Sequence, residues 1–232
     1  MTDYLFDAPK VRSVPVQGAD RAFPVNRIFC VGRNYAAHAA EMGVEADREA
    51  PFYFTKSPTA CCPTGATIPY PTGTSDLHHE MELVMVIGKP VFRASLQDAG
   101  EAIFAYGCGL DMTRRDLQQQ AKDKRRPWDL GKDFENAAVL SPLTRASEFG
   151  AVGPQRIHLS VNGQLRQDAL LSDMIHGVRE IVADLSKFYH LVPGDLIMTG
   201  TPAGVGAVSP GDRITGGIDG LDPIELTIGA PE

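Results

Sequence analysis

Short, closely spaced strand patterns that outnumber helical ones, with no regular strand and helix alternation, predict a β-rich α+β fold rather than a doubly wound sheet. Punctuation agrees, because 23 glycines and 17 prolines divide the 232 residues into brief segments. Composition adds a third observation: 43% hydrophobic and 22% charged residues suit one sizeable core and one main domain.

Residues 1–24 hold Pro9, Pro15 and Pro24 among short alternating segments, which predicts an N-terminal arm, with the compact unit spanning 25–232. RIFCVG reads as a strand, YAAHAAEMG as a short helix closed by Gly43, and EADREAP as a mobile loop. From PFYF to GATIPYP the chain is strand-like and broken by prolines. In LHHEMELVMVIGK, residues 83–87 are apolar on both faces and stop at Gly88-Lys89-Pro90, the pattern of a buried strand. LQDAGEAIFAYGCGLD splits into a short helix and a small-residue strand whose glycines permit close backbone approach. A polar helix follows over 113–126. IHLSVNG and QLRQDA form a hairpin about Asn162-Gly163. SDMIHGVREIVADLSKFYHL is the longest helical pattern, with Ser172 as N-cap and Ile175, Val178, Ile181, Val182 and Leu185 on one stripe. Further strands and turns end the chain.

Several function classes are disfavoured. Formal net charge is -7, and the only basic cluster is Lys122-Asp123-Lys124-Arg125-Arg126, so the broad basic stripe that nucleic acid requires is missing. Cys30, Cys61, Cys62 and Cys108 make no C-x-x-C pair and suit reduced thiols. The opening MTDYLFDAPK lacks the basic region and apolar core of a signal peptide, and no run approaches the roughly 18 apolar residues of a membrane span. A cytoplasmic protein with no membrane partner is expected.

Glu80 and Glu82 raise a physical question. On a strand they share a face with Val84 and Val86. Like charges on a half-buried face repel and lose hydration, unless protonation, neighbouring cations or a bound metal relieves them. The alternative is a strand that starts at Leu83 and leaves both carboxylates in a solvated loop. Asp111, at the end of AYGCGLD, offers a third oxygen ligand, and three carboxylates suit a hard cation such as Mg²⁺ or Mn²⁺. The adjacent His78 and His79 point to opposite faces and do not suit a zinc site. If the polar helix runs on from Asp111, Arg115, Gln118 and Lys122 share one face, either as substrate contacts or as a solvated surface. His38 and Glu41 lie at i and i+3 on one helix, as a water-activating pair or as surface residues. TGTPAGVG offers hydroxyls and free N–H groups to an anion, yet lacks the spacing of a phosphate-binding loop.

Taken together, GRNYAAHAAEMG, FYFTK, LHHEMELVMVIGK, GLDMTRRDLQ, PWDLGKDF, LSVNGQLRQ and PGDLIMTGTPAGVG resemble, in order and spacing, the fumarylacetoacetate hydrolase family in its short-chain acylpyruvate hydrolase branch. The resemblance implies a mixed β-sandwich roll with short helices, in a homodimer. It implies Mg²⁺ or Mn²⁺ on Glu80, Glu82 and Asp111, so that a cation joins the glutamate pair. His38 and Glu41 match the family's catalytic pair, on a segment that closes over substrate, and Lys132 matches its active-site lysine. Arg115, Gln118, Thr201 and Lys56 match positions that bind the substrate. Ser57 stands where relatives commonly have proline.

The implied reaction is hydrolysis of a 2,4-dioxo acid, most like fumarylpyruvate, giving fumarate and pyruvate as in gentisate breakdown. His38 takes a proton from water, and the metal acts as a Lewis acid. An oxaloacetate decarboxylase or tautomerase using the same metal site is the alternative, with His38–Glu41 as the discriminating pair. Arg33 is placed either to meet a distal carboxylate or as a structural cation.

Overall fold

The computed structural model describes residues 4–41 and 50–232, and it is β-rich with short helices. An eight-stranded mixed sheet runs in the order Phe52–Lys56, Arg27–Gly32, Asp195–Met198, Met81–Ile87, Ile103–Asp111, Ala138–Leu140 and Cys61–Pro63, with Thr144–Arg145 paired beside Ile103–Asp111. A five-stranded sheet orders Gln164–Leu170, Arg156–Val161, Arg213–Ile218, Ile224–Pro231 and Ala66–Tyr70, and the core lies between them. These two main sheets, with a three-stranded and a two-stranded sheet beside them, match the predicted β-rich α+β class.

Met81–Ile87 is buried at every residue, as an apolar run flanked on both sides by strands requires. It pairs antiparallel with Ile103–Asp111, and the register sets Glu82 opposite Gly109. A Cβ at Gly109 would lie 2.5 Å from Val84 Cγ2, so only glycine lets the strands close at this point. Asn162 and Gly163 carry φ of 52° and 77°, the left-handed pair that a two-residue hairpin turn demands.

Two helices differ from the expectation. The polar helix is Arg115–Asp123, because Thr113–Arg114 first pairs with Leu77–His79 as a short strand. Arg115, Gln118 and Lys122 still share a face, at i, i+3 and i+7. The apolar stripe near the C-terminus forms only Val178–Leu185, capped by Gly177, while Leu171–Asp173 is a separate 3₁₀ turn. Ser172 is therefore no N-cap: the Met174 bridge to Tyr35 and the Ile175 N–H bond to the Asn34 carbonyl hold the intervening residues out of the helix. Val178, Ile181, Val182 and Leu185 are buried as the stripe predicts. The helix carrying His38 is Ala36–Glu41; its expected closure at Gly43 and most of EADREAP fall outside the described residues. In the N-terminal region, Val14, Val16 and Phe23 are buried in the main core, with Ser13–Val14 paired to Phe23–Pro24.

Candidate functional site

Glu80 occupies the one-residue break between Leu77–His79 and Met81–Ile87, Glu82 lies just beyond it, and Asp111 ends its own strand. The Asp111 N–H donates to the Glu80 carbonyl at 2.9 Å, so the ladder itself draws the three residues together. One carboxylate oxygen from each lies within 4.8 Å of the others. Their relative exposures are 5%, 1% and 0%. The solvated-loop alternative is thereby overturned: both glutamates are inside the fold.

Three cations answer the three carboxylates. Lys132 Nζ donates to Glu80 Oε2 at 2.8 Å, Asp111 Oδ2 at 2.7 Å and Thr113 Oγ1 at 2.7 Å, which uses all its donors. Lys56 Nζ lies 2.8 Å from Asp111 Oδ1 and donates to the Met112 and Lys132 carbonyls. Arg115 bonds Glu80 Oε1 and also donates to Gln118 Oε1 at 2.6 Å. Burial opposes the Glu80 charge, but Lys132 and Arg115 outweigh it and hold that carboxyl well below the usual range. Burial lowers Lys132 as well, yet Asp111 and Glu80 raise it further, and it stays an ammonium.

Glu82 is the exception. Among the described residues its only hydrogen bond comes from the Gly200 N–H, at 2.7 Å. Burial, then Asp111, then Glu80 push its carboxyl well above the usual range. Asp111 Oδ1, although beside Lys56, accepts no aligned hydrogen bond among the described residues. An under-satisfied buried carboxylate set with neither sulfur nor imidazole fits a hard divalent cation.

The carboxylates open into a cleft lined also by His38, Arg115, Gln118, Lys132 and Thr201, with walls of Phe52, Phe54 and Trp128. His38 is buried, and that burial lowers its pKa against the pull of Glu80 and Glu41. Its Nδ1 stands 3.6 Å from Glu41 Oε2, an ion-pair distance longer than a hydrogen bond. Glu41 is held by the Gly204 N–H, at 3.0 and 3.1 Å from its two oxygens. The TGTPAGVG loop thus offers its N–H groups to carboxylates of the protein, Glu82 and Glu41. Lys56, in contrast, is 2% exposed and lies behind Asp111, a position that balances charge rather than meeting a ligand.

Two buried amides escaped the sequence reading. Gln167 accepts from the Met81 N–H at 2.9 Å and donates to Thr201 Oγ1 and the Pro202 carbonyl, both at 2.8 Å, fixing the threonine against the cleft. Asn34 donates to the Thr199 and His176 carbonyls, tying the root of the His38 helix to the Gly200 loop. Neither has a local signal, since both act through residues distant in sequence. His79 is buried against Gln167 and His78 bonds Asp76, so the two histidines diverge as expected.

Comparison with known proteins agrees with this geometry. The family described as fumarylacetoacetate (FAA) hydrolase C-terminal matches residues 27–229. A fumarylpyruvate hydrolase of Ralstonia sp is 54% identical over 194 residues, covering 82% of this chain and 100% of that protein. The oxaloacetate tautomerase YcgM of Escherichia coli (strain K12) is 41% identical over 206 residues, 88% of this chain and 93% of its own. The crystal structure of fumarylpyruvate hydrolase from Pseudomonas aeruginosa in complex with Mn²⁺ and pyruvate superposes with a TM-score of 0.95, at 44% identity, covering 98% of this chain and 100% of that one. With its carboxylate cluster, curled sheets and near full-length match, the chain belongs to the fumarylacetoacetate hydrolase family.

Proposed function

We propose that the protein is a metal-dependent acylpyruvate hydrolase that cleaves fumarylpyruvate to fumarate and pyruvate. The observation that carries this reading is the buried Glu80, Glu82 and Asp111 cluster opening into one cleft with the His38–Glu41 pair. Similarity to the Ralstonia hydrolase and to the Mn²⁺ and pyruvate complex supports it.

Glu80, Glu82 and Asp111 would hold the ion, either Mg²⁺ or Mn²⁺, and a divalent cation there supplies Lewis-acid polarisation of the 2-oxo acid and stabilises a pyruvate enolate. Arg115 and Gln118, already linked to each other, present donors to the substrate carboxylate from the same wall. Thr201, held by Gln167, adds a hydroxyl opposite. His38, neutral at pH 7 through burial, takes a proton from water. With Nδ1 turned toward Glu41, Nε2 is the accepting nitrogen. The resulting hydroxide attacks C4, the C3–C4 bond breaks with its electrons on the pyruvate fragment, and the proton returns to C3. For full support the 3.6 Å His38–Glu41 separation closes to hydrogen-bond length when substrate binds. Lys132 acts as a fixed positive charge, because proton transfer from it would break one of its three bonds.

A second reading, oxaloacetate tautomerase or decarboxylase, is favoured by the 41% identity to YcgM. It needs the same carboxylates but no activated water. Metal-stripped protein is therefore mixed with fumarylpyruvate or oxaloacetate, with and without Mg²⁺ or Mn²⁺, following enol absorbance and pyruvate. Metal-dependent release of fumarate and pyruvate is expected. Fast oxaloacetate conversion without fumarylpyruvate turnover moves the assignment to the second reading. We further infer a cytoplasmic homodimer without nucleic-acid partners, for which light scattering checks the mass; no helix among the described residues is long and apolar enough to cross a membrane.

A further inference from the structure

The cleft carries two cations that the chemistry above leaves unused. Lys122 and Arg33 both line it, each over one ring of an aromatic pair. Phe52 and Trp128 meet edge to face with ring centroids 5.3 Å apart. Arg33 lies over the Phe52 ring at 5.6 Å and Lys122 over the Trp128 ring at 5.1 Å. Gly32 makes this possible, because a Cβ there would fall 2.0 Å from the Phe52 ring. No described carboxylate pairs with either cation, whereas Arg115, on the same helix as Lys122, is bound to Glu80. Burial, with Arg115 and Arg33 close by, pushes the Lys122 ammonium down to about 8, as befits a cation short of an anion.

Spacing decides what anion fits. Lys122 is seven residues beyond Arg115, so its Cα lies about 10 Å farther along the helix. Its Cα–Cβ bond leans back toward the helix N-terminus, which shortens that separation at the side chains. A seven-carbon 2-oxo dicarboxylate spans about 7 Å between its carboxyl carbons when extended. Its planar, unsaturated middle would lie along the Phe52, Phe54 and Trp128 wall.

We propose that Lys122, with Arg33 beside it, receives the distal carboxylate of the substrate and makes the enzyme selective for acylpyruvates that end in a second carboxylate. This rests on the acylpyruvate reading above and names its substrate class. Arg115 and Gln118 take one end of the molecule, and Lys122 and Arg33 measure its length.

The test is binding. Calorimetry on the Mn²⁺-loaded protein compares 2-oxoheptanedioate with 2-oxoheptanoate, which share the 2-oxo acid head and differ in the terminal carboxylate. Wild type is expected to favour the diacid by roughly 10- to 100-fold, the range of one charge-assisted contact. Lys122→Met, which keeps the stem over Trp128 and removes the charge, is expected to bring that ratio within about threefold of unity. Arg33→Gln should reduce it by a smaller factor. A wild type that binds both acids alike or neither, or a K122M protein that keeps the preference or loses both acids in proportion, overturns the proposal. Thermal melting of each variant separates misfolding from lost contact. Missing fumarylpyruvate turnover alongside an intact diacid preference would overturn the hydrolase reading, and with it the acylpyruvate class named here, while leaving Lys122 and Arg33 as the contact for the distal carboxylate of a 2-oxo diacid.

Discussion

Glu82→Gln separates a metal ligand from a structural carboxylate, because the two roles predict opposite signs. In the metal-free protein Glu82 is destabilising: burial, Asp111 and Glu80 raise its carboxyl above 4.5, so the folded state holds a proton that the unfolded chain releases. Stability therefore falls as pH rises from 4.5 through the raised value, and a neutral amide removes that loss. The amide oxygen can still accept from the Gly200 N–H, now at 2.7 Å from Oε2. Metal-free E82Q should thus melt at or above wild type at pH 7.5, by on the order of 1 kcal/mol or about 2–4 °C for a chain of this size. Metal reverses the order. At a hundredfold excess over its Kd, a ligand that binds only the folded state adds about 2.7 kcal/mol, here about 5–10 °C. Wild type should show that rise with Mn²⁺ after chelator treatment, and E82Q should show less than about 2 °C. Calorimetric melting of both proteins, with and without Mn²⁺, gives the four values needed. A full Mn²⁺ shift in E82Q, or a metal-free variant several degrees below wild type, would refute the reasoning.

Other residues give independent checks. His38→Gln should lower fumarylpyruvate kcat by roughly 10²- to 10⁴-fold while leaving the Mn²⁺ melting shift in place, measured by pyruvate release and calorimetry. His79, pushed down to about 4 chiefly by burial, is neutral in the fold but takes a proton when unfolded below 6.5, so its contribution is lost as pH falls from 6.5 to 4. Unfolding free energies of wild type and H79N across that window should diverge in slope, by about 3 kcal/mol in total. Gly200 has φ 95° and its Cβ would lie 2.7 Å from Asn34 Cβ, so Gly200→Ala should cost about 2 kcal/mol or more and weaken Mn²⁺ binding by moving the N–H from Glu82. Denaturant melts and metal titration of G200A check both effects.

Local patterns made much of this fold legible. The apolar run at 83–87, the Asn162-Gly163 turn and the stripe at Val178, Ile181, Val182 and Leu185 each mark an element whose cause lies within a few residues. Boundaries set by distant partners were not legible. Nothing near Thr113 announces that it will pair with His78 and delay the helix to Arg115, and nothing near Ser172 announces that Asn34 will claim the Ile175 N–H. The site divides the same way. Glu80, Glu82 and Asp111 stood out because buried carboxylates need a reason. The opposing lysines, Lys56 and Lys132, are 76 residues apart and entered only through family resemblance, while Gln167 and Asn34 carried no signal.

Charge then links the site to its substrate. In the metal-free centre Glu82 holds its proton while Glu80 and Asp111 face Lys56, Lys132 and Arg115, so the centre is already slightly positive. A divalent cation that displaces that proton would leave it distinctly positive. Lys122 and Arg33 extend that field along the cleft, in a chain whose formal net charge is -7. On the proposed reading a doubly charged acylpyruvate would be drawn inward, and an enolate forming beside fixed cations would cost less than in water. Once the C3–C4 bond has broken, the two charges sit on separate molecules. Each product keeps one end of the grip and loses the other, which favours release over rebinding. Weakening the Lys122 end should therefore raise KM for fumarylpyruvate more than it lowers kcat, because uniform binding is lost while His38 and the carboxylate centre are untouched. Steady-state kinetics of K122M decide this, and a fall in kcat at unchanged KM would place the lysine in the chemical step instead.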